Sequence, residues 1–152
     1  MKWHSIDFFL FALIILLLLK IHKKNRSYYT SPDPLIETIR LDLLKVDARA
    51  GSLKFFASDK SYTEDKKDVF LCLKDEHGNY YPYNFLLYVS LHELAHAISI
   101  TIDDKHTGKE FNKNFDYLLQ KAAEIKIYNP REPLITDYCG LKNWNIFISH
   151  FI

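Results

Sequence analysis

A chain of 152 residues with 48% hydrophobic and 15% aromatic side chains has the length for one domain plus a short appendage, and 4 Gly and 5 Pro exclude a low-complexity or disordered protein. Its net charge of +1 is unevenly placed. Lys2, Lys20, Lys23, Lys24 and Arg26 face Asp7 alone in residues 1–26, which leaves 15 basic against 18 acidic side chains, a net of −3, in residues 27–152. That mildly acidic body excludes the basic footprint of a nucleic-acid binder, so neither DNA nor RNA is expected as a partner.

The first element is an apolar run in which every residue from Phe8 to Leu19 is hydrophobic. Lys20, His22, Lys23, Lys24 and Arg26 follow it, whereas a signal peptide carries its charge in front and small residues behind. The run therefore predicts one uncleaved transmembrane helix, with Asp7 and Lys20 snorkelling and Trp3, Tyr28 and Tyr29 near the interfaces. The positive-inside rule places the N-terminus outside and residues 22–152 on the cytosolic side of a cellular or virion membrane. The chain divides accordingly into a transmembrane anchor with its basic flank, residues 1–26, and a domain, residues 27–152.

Asp33 is a good N-cap and Pro34 a good first helical residue; Ile36, Ile39, Leu43 and Val46 then recur at helical spacing, predicting a helix from Pro34 to Ala50. Leu53 to Ala57 reads as a short strand, Ser58 to Lys67 as a polar loop, and Val69 to Leu73 as the strongest strand. Val69 to Leu73 is also a candidate edge for pairing with an extended peptide. Asp75 to Asn79 is a turn signal, and Tyr80 to Tyr83 is a possible return strand that Pro82 confines to an edge. A helix is expected from Asn84 to Ile102, with an apolar stripe through Leu87, Leu91, Leu94, Ala95, Ile98 and Ile102. A second begins near Thr107, where Thr107 and Glu110 have capping-box spacing, and its apolar face is Phe111, Phe115, Leu118, Leu119, Ala122 and Ile125, before Asn129-Pro130. Cys72 and Cys139 show no framework spacing and read as reduced thiols of a cytosolic or virion-interior protein.

The chemistry concentrates in His92-Glu93-Leu94-Ala95-His96. On a helix, positions four apart stack on one face, so both imidazoles can reach one tetrahedral Zn²⁺. Glu93 stands beside that position, where a carboxylate can take a proton from water. A catalytic zinc needs a third protein ligand and an open position. His106 leads, because a short turn through Asp103-Asp104-Lys105 sets it just before the next helix, with Gly108 to ease the turn. Asp103, Asp104, Glu110 and Glu124 are the competing carboxylates, and Cys139 as a fourth ligand would close the site. Tyr138, next to Gly140 in a turn, is the candidate to stabilise an oxyanion, and His150 a candidate to orient a ligand.

His92-Glu93-Leu94-Ala95-His96 followed by His106-Thr107-Gly108-Lys109-Glu110-Phe111 resembles the SprT-like and WLM zinc peptidases, whose pattern is HExxH, a short spacer, then His-(Gly)-x-x-Phe or Trp. Residues 84–97 with Tyr138-Cys139-Gly140 are also similar to small metallopeptidase-like proteins of large DNA viruses. The resemblance covers about residues 68–140. It implies His92, His96 and His106 as zinc ligands and Glu93 as general base. Thr107 stands where the SprT pattern has Gly directly after the His, and there is no zinc ribbon or basic tail. The families' role on DNA–protein crosslinks is therefore not carried over.

The expectation is an α+β, zincin-like domain with its HExxH motif on a helix beside a small sheet, preceded by one transmembrane helix. It would act as a membrane-anchored zinc endopeptidase on a protein or peptide substrate. The alternative is a metal-binding but inactive interaction protein of a membrane or virion.

Overall fold

The computed structural model describes residues 5–27, 33–102 and 108–142. The chain divides into two units, Met1–Pro32 and Asp33–Ile152. The first holds α1 (Ser5–Ser27), whose large apolar side chains between Phe9 and Leu19 are 41% to 69% exposed.

Two parts of the expected fold are corrected. Among the described residues no helix is long and apolar enough to cross a membrane, which removes the transmembrane helix. The physical reason is reach: at 1.5 Å per residue the unbroken run from Phe8 to Leu19 rises about 18 Å, against a hydrocarbon core of about 30 Å. Asp7 and Lys20 bound that run. The single-pass topology, with its outside N-terminus and cytosolic body, falls with the helix. Second, among the described residues no group of three His, Cys, Asp or Glu side chains is placed to hold a metal, so the zincin-like description lacks its three-ligand centre. Only two of its expected donors belong to the described residues, because His106 lies outside them.

The second unit is α+β. Helix α2 (Pro34–Val46) starts where the Asp33 carboxylate accepts the Leu35 N–H at 3.0 Å, and it buries Ile36, Ile39, Leu43 and Val46. It stops four residues before the expected Ala50. Asp47 is extended, and its carboxylate caps a 3₁₀ turn, Ala48–Ser52, by accepting the Arg49 N–H.

Strands β1 (Lys54–Ser58), β2 (Tyr62–Glu64) and β3 (Asp68–Cys72) form one sheet in the order β1-β3-β2, with β1 parallel and β2 antiparallel to β3. The strand from Asp68 to Cys72 is thus the centre of the sheet, flanked on both sides, and cannot be the edge that accepts a peptide. The edge on one side is β2, which sits in the stretch expected to be a polar loop. A tight turn links it to β3, with Asp65 and Lys66 both left-handed at φ 50° and 56° and the Lys67 N–H bonded to the Glu64 carbonyl.

One sheet face carries Phe55, Val69 and Leu71 into the core. On the opposite face Phe56, Phe70 and Tyr62 stand in register and stack across all three strands, with centroids 5.1 and 4.5 Å apart. Of the expected return strand only an isolated bridge between Lys74 and Tyr80 forms, and Tyr83 already belongs to the next helix.

Helices α3 (Tyr83–Ile98) and α4 (Lys109–Glu124) pack on each other. In place of a stripe, α3 is buried on every side from Phe85 to Ala95, whereas α4 buries only Phe111, Phe115, Leu118 and Ala122. Thr107, one half of the expected capping box, lies outside the described residues; Gly108 is the N-cap of α4, and the Glu110 carboxylate accepts the N–H groups of Ile100 and Thr101 at 2.8 and 2.9 Å.

The cysteines are also corrected: Cys72 and Cys139 form a disulfide across a separation of 67 residues. Cys139 and Gly140, at φ 49° and 80°, make a tight turn closed by Tyr138 and Leu141 through paired main-chain bonds of 3.0 and 2.8 Å. Neither cysteine alone signalled this pairing, because the turn that brings them together is set by residues far from Cys72.

Candidate active site

The middle of α3 brings His92 and His96 one turn apart, with their Nε2 atoms 3.2 Å from each other and their rings 76° apart. Two nitrogens bound to one tetrahedral Zn²⁺ at 2.0–2.1 Å stand about 3.3 Å apart, so the pair is spaced as two corners of that coordination tetrahedron would be. Aromatic rings from α4 fix the imidazoles. Phe111 lies 4.3 Å from the His96 ring and 5.0 Å from that of His92, and Phe115 lies 5.2 Å from His92. His92 is buried and His96 half-buried, which suits ligands aimed into a cleft.

Glu93 is 5% exposed. Burial pushes its carboxyl up to about 7, opposed by a hydrogen bond from Thr63. The Thr63 hydroxyl donates to Oε2 at 2.8 Å and lies 3.0 Å from the Glu93 main-chain carbonyl. A carboxyl tuned to that range is suited to taking up and releasing a proton near neutral pH.

These groups open onto a cavity of ≈ 670 Å³. Its floor is His92, Glu93 and His96. One wall is β2 with its flanks, Lys60 to Thr63, Asp65 and Lys66; the other is Tyr138, Cys139 and Leu141 from the disulfide-linked turn. Lys66 fastens the β2 wall to the end of α3, its ammonium donating to the carbonyls of Ser99 and Thr101, the latter at 2.9 Å.

Tyr138 reaches this cavity but is 1% exposed, and its hydroxyl is engaged. It donates to the Cys72 carbonyl at 2.7 Å and sits 2.6 Å from Ser61 Oγ, which in turn accepts the Cys72 N–H at 2.9 Å. The three groups close a ring of hydrogen bonds, and burial raises the phenol's pKa. That proton is held on the Cys72 carbonyl.

The competing ligands fare differently. Glu110 is spent on the end of α3. Glu124 pairs with Gln120 and Lys121 on the outer face of α4. Cys139 is a disulfide sulfur rather than a thiolate. His106, Asp103, Asp104 and His150 lie outside the described residues. Sequence reasoning missed Ser61 and Thr63. The available signal was weak: Tyr62-Thr63, two residue types enriched in strands, inside an otherwise polar stretch.

No family model matches the chain, and no solved structure matches it. It is similar to viral proteins. An uncharacterized protein of Invertebrate iridescent virus 6 is 39% identical over 92 residues, covering 59% of this chain and 50% of that protein. One from Invertebrate iridescent virus 3 is 38% identical over 92 residues, covering 60% and 56%. An uncharacterized protein of Acanthamoeba polyphaga mimivirus is 33% identical over 125 residues, covering 78% and 60%. The chain thus spans between 50% and 60% of the length of these curated relatives.

Proposed function

We propose that the chain is a zinc-dependent peptidase of the SprT-like and WLM kind, with Glu93 as its general base. The observation that carries this reading is the 3.2 Å spacing of the His92 and His96 Nε2 atoms on a buried helix, beside a buried carboxyl at the floor of a cavity. His92 and His96 would hold the ion, with His106 as the third ligand. Bound there, Zn²⁺ supplies a Lewis acid that acidifies water and polarises a carbonyl.

The side chains do the rest. Glu93 takes the proton of the attacking water, then delivers it to the leaving amine. Phe111 and Phe115 keep the two imidazoles in orientation. The far edge of β2 carries no further strand among the described residues, so an extended peptide can pair with it and lie across the cavity. Proteins or peptides are the substrate class.

The test is zinc content by elemental analysis, with casein hydrolysis measured on the wild type, Glu93→Gln and His106→Ala. One zinc per chain, retained in Glu93→Gln while hydrolysis falls by about a thousandfold, is the expected result. His106→Ala should lower zinc occupancy. Zinc binding with no hydrolysis in the wild type would favour an inactive metal-binding interaction protein, and no zinc would end both readings.

A further inference from the structure

The carboxylate proposed as the base does not hold its own position. Glu93 has three side-chain torsions and no oppositely charged partner among the groups that shift it; burial and Thr63 account for its environment. Thr63 is the contact that reaches it from outside its own helix, and two distances define that contact. The single hydroxyl proton faces Oε2 at 2.8 Å, with the Glu93 carbonyl oxygen 3.0 Å away. One donor therefore spans the main chain and the side-chain terminus of the same residue, which restricts how the torsions between them can turn.

The sheet explains why Thr63 can do this. It is the central residue of β2 and pairs with fully buried Val69, so its side chain turns toward α3 while Tyr62 and Glu64 stay exposed. Threonine is β-branched, so its own χ1 is stiff. The strand is anchored a second time at its hairpin turn, where Lys66 binds the carbonyls of Ser99 and Thr101 just past the end of α3. β2 is thus fastened to α3 at its middle and beyond its end. The hydroxyl is presented from a rigid frame, as preorganised sites require.

We infer that Thr63 is a positioning residue that fixes the Glu93 carboxylate for proton transfer, and this rests on the reading of Glu93 as the base. Its hydroxyl engages one carboxylate oxygen and leaves the other for the proton in transit. Because β2 also forms the peptide-facing wall, the same strand sets both substrate path and base.

The experiment uses the full chain loaded with Zn²⁺, as wild type, Thr63→Val, Thr63→Ser and Glu93→Gln. Zinc content, affinity for acetohydroxamate by calorimetry, and kcat and KM on fluorescein-labelled casein are measured on each. Acetohydroxamate is a chelating acid whose proton must be taken up beside the metal, so it reports the base without turnover. Equal zinc in all four proteins is expected. Thr63→Val should lower kcat and acetohydroxamate affinity each about tenfold, with KM within about twofold, and Thr63→Ser should restore both. If Thr63→Val matches the wild type in both readouts while Glu93→Gln loses them, Thr63 positions nothing and the base stands. If the wild type holds no zinc, or Glu93→Gln leaves both readouts unchanged, the base reading itself fails and this inference with it. Near-ultraviolet circular dichroism checks the fold, and Thr63→Ala takes the place of Thr63→Val should the valine variant not fold.

Discussion

Helices α3 and α4 are both 16 residues long and pack against each other, yet they are held in opposite ways. α4 is amphipathic: it presents Phe111, Phe115, Leu118 and Ala122 inward, with Leu119 and Ala123 half-buried beside them, and turns its other face to water. α3 is enclosed, with Leu87, Val89, Leu91, Leu94 and Ala95 fully buried on different sides and His92 and Glu93 among them. A helix of the first kind needs one partner. A helix of the second kind needs the whole domain around it, and any polar group it carries must find partners on other elements. Ser90 and Ser99 solve this locally, each bonding the carbonyl four residues back at 2.7 Å. Glu93 solves it through β2. The contrast shows what suits α3 to carry the candidate site: a buried helix can keep polar side chains in a low-dielectric setting that an exposed face cannot provide.

Changes to what surrounds α3 should therefore cost more than equal changes to α4. The largest effect is expected from the Cys72–Cys139 disulfide, which ties the second cavity wall to the central strand across 67 residues. Closure of a loop that long is worth about 4 kcal/mol in the chain-entropy description, so urea midpoints measured with and without reductant should separate by that stability. Next, Leu94→Ala in α3 should destabilise by about 3 kcal/mol and Leu119→Ala, half-buried in α4, by less than about 1 kcal/mol. Equal losses in chemical denaturation would break the comparison.

Tyr138→Phe removes the proton that closes the Ser61–Tyr138–Cys72 ring, and should cost about 1–2 kcal/mol of stability with hydrolysis per folded molecule unchanged. A loss of kcat without loss of stability would instead return Tyr138 to the chemistry as an oxyanion stabiliser. The smallest effect belongs to Glu110. The N–H groups of Ile100 and Thr101, with the Thr101 hydroxyl, lower its carboxyl from 4.5 to about 2. A carboxyl lowered in the folded state stabilises above its ordinary value and loses that contribution as acid is added. The wild type should therefore lose stability between pH 4.5 and 2 through this group, and Glu110→Gln should show a flatter acid limb in thermal melts.

The elements that were legible in the sequence are those whose signals are local. Asp33-Pro34 and the spacing of Ile36, Ile39, Leu43 and Val46 give α2, and Phe111, Phe115, Leu118 and Ala122 give α4, because a cap and a stripe are written within one element. His92, Glu93 and His96 were legible because metal-ligand spacing on a helix is also local. The misses are relations between distant elements. β2 has only three residues and exists through pairing with β3; Glu110 was read for its own helix but serves the end of another; and the cysteines meet only because a turn at 138–141 folds back. The apolar run from Phe8 to Leu19 misled for a different reason, since composition set the expectation of a membrane helix where length had to decide it.

The turn at Tyr138 to Leu141 has one more consequence, in the order of assembly. Its bonds to Tyr81, Cys72 and Ser61 span 58, 66 and 77 residues, so they form only after the strands and both helices have been made. Emerging from the ribosome, the chain presents its two-imidazole helix first and completes the cleft around it last. The second wall of the cavity therefore cannot close until residues 138–141 have been synthesised.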